Sequence, residues 1–177
     1  MDITNKHMLR NIDFQIILST IVWILFLISL IRTCFVYPTL SNDIGVHFSG
    51  SGDFDVISNK KFVFYPHLIS FITLLLCECF SYIAGKLKLG LKLTDEYEHK
   101  LRMTVKLYLQ IFKICVLTIF AGVWTDCVIK QQNLNMIVVS TVMYVWLLAT
   151  VVFFSVVIII GMIGKKVTTL KKAIKKS

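Results

Sequence analysis

The chain has 177 residues, of which 56% are hydrophobic, and a formal net charge of +9 at neutral pH. Soluble domains contain only about 45–50% apolar residues, so this composition excludes an ordinary soluble domain and indicates a membrane protein. An excess of positive charge is typical of proteins that bind nucleic acid or an anionic membrane surface. Here the lysines and arginines cluster at the ends of long apolar segments, which favours the membrane.

Four apolar segments are long enough to cross a bilayer, for which a helix needs about 20 residues. The sequence predicts spans at residues 14–36, 62–85, 105–129 and 136–164. The first span has no small-residue cleavage site after it, so we expect a retained helix and not a signal peptide. In lipid only a helix satisfies its own backbone hydrogen bonds, even where valine and isoleucine dominate. We therefore predict an all-α integral membrane protein, with residues 1–177 as a single four-helix domain.

The distribution of basic residues predicts the orientation, because cytoplasmic segments carry an excess of lysine and arginine. Two basic residues precede the first span, six lie in or beside the connection between the second and third spans, and six follow the fourth. Only Lys60, Lys61 and Lys130 fall on the other side. We expect both termini in the cytoplasm and residues 37–61 outside.

The basic tail at residues 165–177 has two interpretations. Val167, Leu170 and Ile174 recur at helical spacing between six lysines, which is typical of an amphipathic helix attracted to anionic lipids on the inner leaflet. The alternative is a solvated tail that ends the last span. No aromatic stacking surface accompanies the charge, so we expect no nucleic-acid partner.

The segment at residues 37–61 differs from the rest of the chain. It combines three acidic residues with four turn-forming residues, namely Asp43, Asp53, Asp55, Pro38, Gly45, Gly50 and Gly52. Glycine reaches positive φ at low cost and proline fixes its own φ, so this composition predicts an ordered loop with specified bends. His47, Asp53 and Asp55 are candidate metal ligands, but their spacing matches neither an EF-hand nor a zinc-binding helix. We predict no metal and no cofactor.

Two charged residues lie deep within the predicted spans. Glu78 is seven residues before Gly85 and Lys113 is eight residues after Val105, which places them about 10 and 12 Å from the same end of the bundle. A charge inside a membrane is costly, so we predict a cross-helix ion pair. Two alternatives stay open: Glu78 is a protonated proton or ion site, or Lys113 extends to the interface. We expect His67, near the outer start of the second span, to be an interfacial residue that faces the loop.

The loop resembles a segment of a bacterial family of membrane domains of unknown function, also found in the N-terminal part of SdpI-like immunity proteins. That segment follows a first span and reads roughly Leu-Pro-x-x-Ile-Pro-x-His-Phe, then Gly-x-Pro-Asp and a lysine. The matching residues here are Leu40, Ile44, His47, Phe48, Gly52, Asp55 and Lys60. Ser41, Gly45 and Phe54 replace the three prolines, which makes the loop less rigid than the family pattern. The resemblance covers residues 14–85.

The resemblance implies a multi-pass protein of a bacterial cytoplasmic membrane. SdpI-like proteins protect a producing cell against its own membrane-active toxin. We therefore expect an accessory, sensor or immunity-type protein that recognises an antimicrobial peptide or another membrane protein through the seven matching residues. The alternative is a small transporter or transporter subunit with Glu78 and Lys113 as a polar path. No motif of catalytic residues stands out, so we expect no enzyme.

The predicted orientation is testable by cysteine labelling in intact cells, on a background without other cysteines. A cysteine at Ser51 should react with a membrane-impermeant reagent, because the charge bias places it outside. A cysteine at Thr94 should stay unreacted until the cells are opened. The opposite labelling pattern would invert the topology.

Overall fold

The computed structural model describes residues 3–86 and 95–174. Within them, four helical stretches are long and apolar enough to cross a membrane: Phe14–Thr39, Lys60–Lys86, Glu96–Lys130 and Met136–Ile163. The four predicted spans are thus confirmed, although the third begins earlier than the sequence indicated. Residues 87–94, which contain part of the predicted basic connection, lie outside the described residues.

Five α-helices build the described part of the chain: α1 (Ile3–Val36), α2 (Tyr65–Lys86), α3 (Asp95–Val116), α4 (Thr125–Lys130) and α5 (Met136–Ile174). A π-helical segment, Leu117–Trp124, joins α3 to α4 and makes one long helix of the three. A π-helix pairs each N–H with a carbonyl five residues earlier, which alters the hydrogen-bond partners available along that stretch. There the Thr125 hydroxyl donates to the Phe120 carbonyl over 2.9 Å.

The basic tail continues α5 without a break as far as Ile174. At 1.5 Å per residue, residues 165–174 lengthen the helix by about 15 Å beyond the predicted span. Residues 165–174 of the tail are therefore helical, as the first interpretation required, but they extend the span. They are not a separate helix with a bend that would let it turn along a membrane surface.

Between α1 and α2 the chain forms a β-hairpin, so the all-α prediction is wrong for this segment. A 3₁₀ turn at Tyr37–Thr39 leads into β1 (Asp43–Phe48), which pairs antiparallel with β2 (Phe54–Asn59). A second 3₁₀ turn at Lys60–Phe64 then enters α2. Glycine and aspartate are poor strand formers, which is why turn chemistry concealed the two short strands in the sequence.

The hairpin contains two register shifts. Gly45 faces Ile57, but further along His47 faces Val56 and Phe48 faces Phe54. The Phe54 ring lies over Gly45, so closely that a Cβ at position 45 would come within 2.4 Å of Phe54 Cγ. Gly45 and Phe54 are two of the positions that depart from the family pattern, and the Phe54 ring occupies the space that a side chain at position 45 would need.

Two apolar clusters hold the structure together. The first lies among the helices and consists of Val22, Phe26, Leu74, Leu117 and Ala121. The second lies beneath the hairpin, where Ile44 and Phe48 of β1 pack with Val63 and Val128. Burial of such side chains contributes roughly 1.5–3 kcal/mol each in water, and the second cluster therefore fixes the hairpin to the helix ends.

Helix α5 packs mainly on α3. The rings of Tyr108 and Phe153 stack with their centres 4.5 Å apart, and the Tyr108 hydroxyl is 3.1 Å from Thr150 Oγ1. Most other large side chains of α5 are exposed. This exposure is as expected for a helix whose remaining faces contact lipid.

The close packing of Phe54 on Gly45 is testable by thermal unfolding in detergent. We expect Gly45→Ala to destabilise the protein by about 1–3 kcal/mol, because the added methyl group forces the ring away. Gly50→Ala is the matched control, since a Cβ there meets no atom within 4 Å. In the Phe54→Ala background, Gly45→Ala should cost much less. Equal costs in both backgrounds would show that the ring does not lie over Gly45.

Candidate functional site

The hairpin is held against the helices at the start of α4. The indole N–H of Trp124 donates to the Val46 carbonyl over 3.3 Å, and its ring packs edge-on against Phe48 at 5.5 Å between centres. Phe48 in turn stacks on Phe54 at 4.4 Å. Aromatic pairs in these geometries contribute about 0.5–1.5 kcal/mol beyond the area they bury. The hairpin is therefore packed on the bundle.

Gln131 closes the free edge of β1. It ends α4 in a left-handed conformation with φ 51°. Its side-chain oxygen accepts a hydrogen bond from Gly45 N at 2.9 Å, while its side-chain nitrogen donates to the Val128 carbonyl at 2.5 Å. The backbone of β1 is thus paired on its outer side by one amide side chain.

The tip of the hairpin is bound to the connection between α4 and α5. Gly52 has φ 93° and its carbonyl accepts a hydrogen bond from Leu134 N at 2.8 Å. A Cβ at position 52 would lie 2.5 Å from the Leu134 carbonyl oxygen, so only glycine fits there. Next to it, the Asn133 amide donates to Asp53 Oδ1 at 2.6 Å.

Five of the seven predicted loop residues serve these internal contacts. Ile44 and Phe48 are buried, and Gly52 makes the tip contact. The Lys60 ammonium donates to the Leu40 carbonyl at 3.2 Å. The buried side chains therefore hold the hairpin in shape, and their predicted role in binding a partner stays a prediction.

The other two predicted loop residues face outward together. His47 Nδ1 and Asp55 Oδ1 are 2.6 Å apart, and their side chains are 57% and 42% exposed. The register shift opposite His47 leaves Asp55 as the extra residue on β2. Such a bulge changes the direction in which a side chain points. Here it occurs where Asp55 contacts His47, although the strand partner of His47 is Val56.

Of the three residues weighed as an alternative metal site, His47 and Asp55 meet each other, while Asp53 is bound elsewhere. Asp53 Oδ2 accepts a hydrogen bond from Ser51, and its other oxygen binds Asn133. Within residues 3–86 and 95–174, no group of three or more histidine, cysteine or acidic side chains has metal-binding geometry.

The structure brings Glu78 and Lys113 together within the bundle. Lys113 Nζ lies 2.6 Å from Glu78 Oε1, and the Lys113 side chain is 1% exposed. Two residues of α1 that the sequence did not single out complete the cluster: Ser19, which donates to Glu78 and accepts from Lys113 at 2.9 Å, and Trp23, whose indole lies 3.4 Å from the carboxylate. This arrangement favours the ion pair over an isolated protonated Glu78 or an extended Lys113.

A second polar cluster lies nearer the hairpin and corrects the expectation for His67. His67 is buried, not interfacial, and its Nε2 is 3.1 Å from Ser29 Oγ and 3.5 Å from Thr33 Oγ1. The Ser29 hydroxyl also donates to the Ala121 carbonyl in the π-helical segment. This cluster could not be predicted from the sequence, because serine and threonine are common in membrane helices.

At the hairpin end of the helices, Arg32 pairs with Asp126. Lys130, one turn after Asp126 on the same helix, binds the other carboxylate oxygen at 2.7 Å. The three side chains are partly exposed. The pair explains how Arg32 is accommodated within the first predicted span.

Together these features define a helical protein with four helices long and apolar enough to cross a membrane, a hairpin packed on the helix ends and an ion pair within the bundle. Neither family models, nor curated proteins, nor solved structures gave a match to the chain. The resemblance of the loop to the SdpI-like pattern therefore stays a sequence-based interpretation.

The Glu78–Lys113 pair is testable by a double-mutant cycle on the detergent-solubilised protein. Glu78→Gln should lower thermal stability, because the enclosed Lys113 keeps only Ser19 as a partner. Loss of one member of a buried pair costs about 3–5 kcal/mol in soluble proteins, and in membranes measured couplings are nearer 1 kcal/mol. Lys113→Met should cost less, since Glu78 keeps Ser19 and Trp23 as donors.

The double variant, Glu78→Gln with Lys113→Met, should recover part of the stability lost in Glu78→Gln. Strict additivity of the two single effects would show that the groups do not interact. Glu96→Gln with Lys100→Met is the matched control, because that pair is exposed to solvent and should contribute little to stability.

Proposed function

We propose that this chain is a small membrane protein of accessory, sensor or immunity type, which recognises a peptide or another membrane protein through its hairpin. The observation that carries the proposal is the exposed His47–Asp55 pair, on a hairpin that the helices hold in place. A connection between two helices needs no such construction, because a flexible linker would span the same distance.

Energetics supports a binding role for the pair. An exposed contact between two polar side chains contributes at most about 1 kcal/mol to stability, so stability does not account for its placement. A surface that is already ordered loses less conformational entropy when a partner binds. The contacts of Trp124, Gln131 and Leu134 supply that order. A fixed hairpin with an outward pair of polar side chains is therefore suited to recognition.

The specific form that we propose is immunity against a membrane-active peptide. Its support is the resemblance of the loop to SdpI-like proteins and the bias of basic residues, which predicts that the hairpin lies on the outer side of the membrane. On that side the hairpin would meet an arriving peptide before the peptide entered the bilayer.

A small transporter or transporter subunit is the second candidate function. Polar groups at two depths of the bundle favour it, namely the Glu78–Lys113 pair and the cluster around His67. An apolar layer that includes Phe26, Leu74 and Leu117 belongs to the same helix interior. Since Lys113 is also enclosed, we rank transport below recognition.

The proposed function is tested by comparing cells that produce the protein with cells that lack it, under challenge with membrane-active bacterial peptides. Against a peptide from which the protein protects, we expect His47→Ala or Asp55→Ala to abolish protection at normal protein levels. Asp43→Ala is the matched control, because Asp43 is an exposed aspartate of the same hairpin outside the pair, and it should retain protection.

Glu78→Gln should retain protection in proportion to the amount of protein in the membrane. Transport predicts the reverse ranking, because coupling would run through the intramembrane charges. Unchanged protection after replacement of residues 41–59 with a Gly/Ser linker of equal length would refute recognition by the hairpin.

A further inference from the structure

The two edges of the hairpin sheet differ in whether side chains of the protein bind their backbone groups. On the β1 side, Gln131 binds the backbone of Gly45, the Ser41 hydroxyl donates to the Asp43 carbonyl, and Trp124 donates to the Val46 carbonyl. That edge is therefore closed by side chains of the protein itself. The sheet has two strands within the described residues, so β2 forms its other edge.

Hydrogen-bonded and non-hydrogen-bonded residue pairs alternate along the hairpin, and this alternation determines which backbone groups of β2 point away from β1. In an antiparallel pair, opposite residues either exchange both backbone bonds or direct both groups away from each other, in alternation. Gly45 N points away from β2, toward Gln131. Its partner Ile57 must therefore also direct its N–H and C=O away from β1.

A second hydrogen bond independently indicates the same alternation of pairs. Lys60 N donates to the Asn42 carbonyl at 2.8 Å, so the next pair, Asp43 with Asn59, is of the outward type. The free edge of β2 thus presents three backbone groups: N–H and C=O of Ile57 and N–H of Asn59. Among the described residues, none of these three groups has a hydrogen-bond partner.

The side chains beside this edge are apolar and exposed. Ile57 is 74% exposed and Val56 is 47% exposed. Natural sheets protect an open edge with lysine, proline or a covering element. Between Asp55 and Asn59, β2 has neither lysine nor proline. The edge therefore combines unpaired backbone groups with an apolar surface.

We propose that β2 binds an extended basic peptide segment by strand addition along this edge. The inference rests on the proposed recognition function and names its partner class and binding mode. In strand addition the backbone bonds supply affinity, and alternate side chains supply selectivity. At about 3.3 Å per residue, the six residues of β2 match a segment of some six residues.

Charge identifies the occupant as basic and argues against a second copy of the chain. Residues 41–59 contain Asp43, Asp53 and Asp55 and no lysine or arginine. A segment with alternating basic and apolar side chains would place a cation near Asp55, the exposed carboxylate of β2 itself, and apolar groups against Ile57. Two copies would instead bring two acidic hairpins together, which is unfavourable.

The test uses the full chain in zwitterionic lipid nanodiscs and a fluorescent eight-residue peptide of alternating valine and lysine as the probe. Anisotropy should show saturable binding to the protein and none to empty nanodiscs. The same peptide with N-methyl groups on alternate residues should bind at least tenfold more weakly, because methylation removes the donors that strand addition requires.

Ile57→Pro tests the edge from the protein side. Its lost N–H points outward, so the pairing with β1 should persist, as proline is tolerated at strand edges. We expect at least tenfold weaker probe binding, with unchanged thermal stability as evidence of an intact hairpin. Ile57→Thr is the matched control, which shortens the side chain but keeps the N–H, and its affinity should fall less than threefold.

Equal binding of the methylated and unmethylated probes to the wild-type protein would overturn strand addition, whatever the fate of Ile57→Pro. Equal binding to empty nanodiscs would show that the probe binds lipid. Dimers that form without the probe and are lost in Ile57→Pro would show that the edge binds a second copy of the chain. Either result would overturn the proposal. The recognition function is tested separately in cells, where unchanged protection by His47→Ala and Asp55→Ala would contradict it.

Discussion

The position of the hairpin depends on the side chain of Gln131. This residue has the one positive φ among the described non-glycine residues, a conformation that costs roughly 1–2 kcal/mol for an ordinary side chain. The backbone turn ends α4, and the amide reaches both Val128 of its own helix and Gly45 of β1. Without it, Gly45 N would lose its partner at a part-buried position, which costs about 1–3 kcal/mol.

The π-helical segment links the hairpin to the interior of the bundle. At its end, Trp124 binds the Val46 carbonyl, while Ala121 accepts from Ser29 and Leu117 packs in the apolar layer. Single π turns occur often at functional positions, and here the extended segment supports both the hairpin and the helix contacts. The hairpin and the helix bundle therefore share one structural element.

Physical cost explains which features could be predicted from the sequence. Glu78 and Lys113 were predictable as a pair because an unpaired charge in lipid is expensive and their depths agree. Ser19, Ser29 and Thr33 were not, because neutral hydroxyls in a helix have little cost and their contacts arise only from tertiary packing. In the loop, glycine and aspartate indicated order but concealed the strands. The shared inward placement of Ile44 and Phe48 agrees with strand alternation, since residues four apart line one face of a strand, but it could be predicted only once the strand was recognised.

The central claim is that the hairpin is a fixed platform and not a flexible connection. Amide hydrogen exchange of residues 43–59, measured by mass spectrometry on the protein in nanodiscs, tests it most directly. The structure predicts that peptides covering β1 exchange at least a hundredfold more slowly than an unstructured chain, and that Gln131→Ala speeds their exchange. Exchange of wild-type β1 at the unstructured rate would contradict the account.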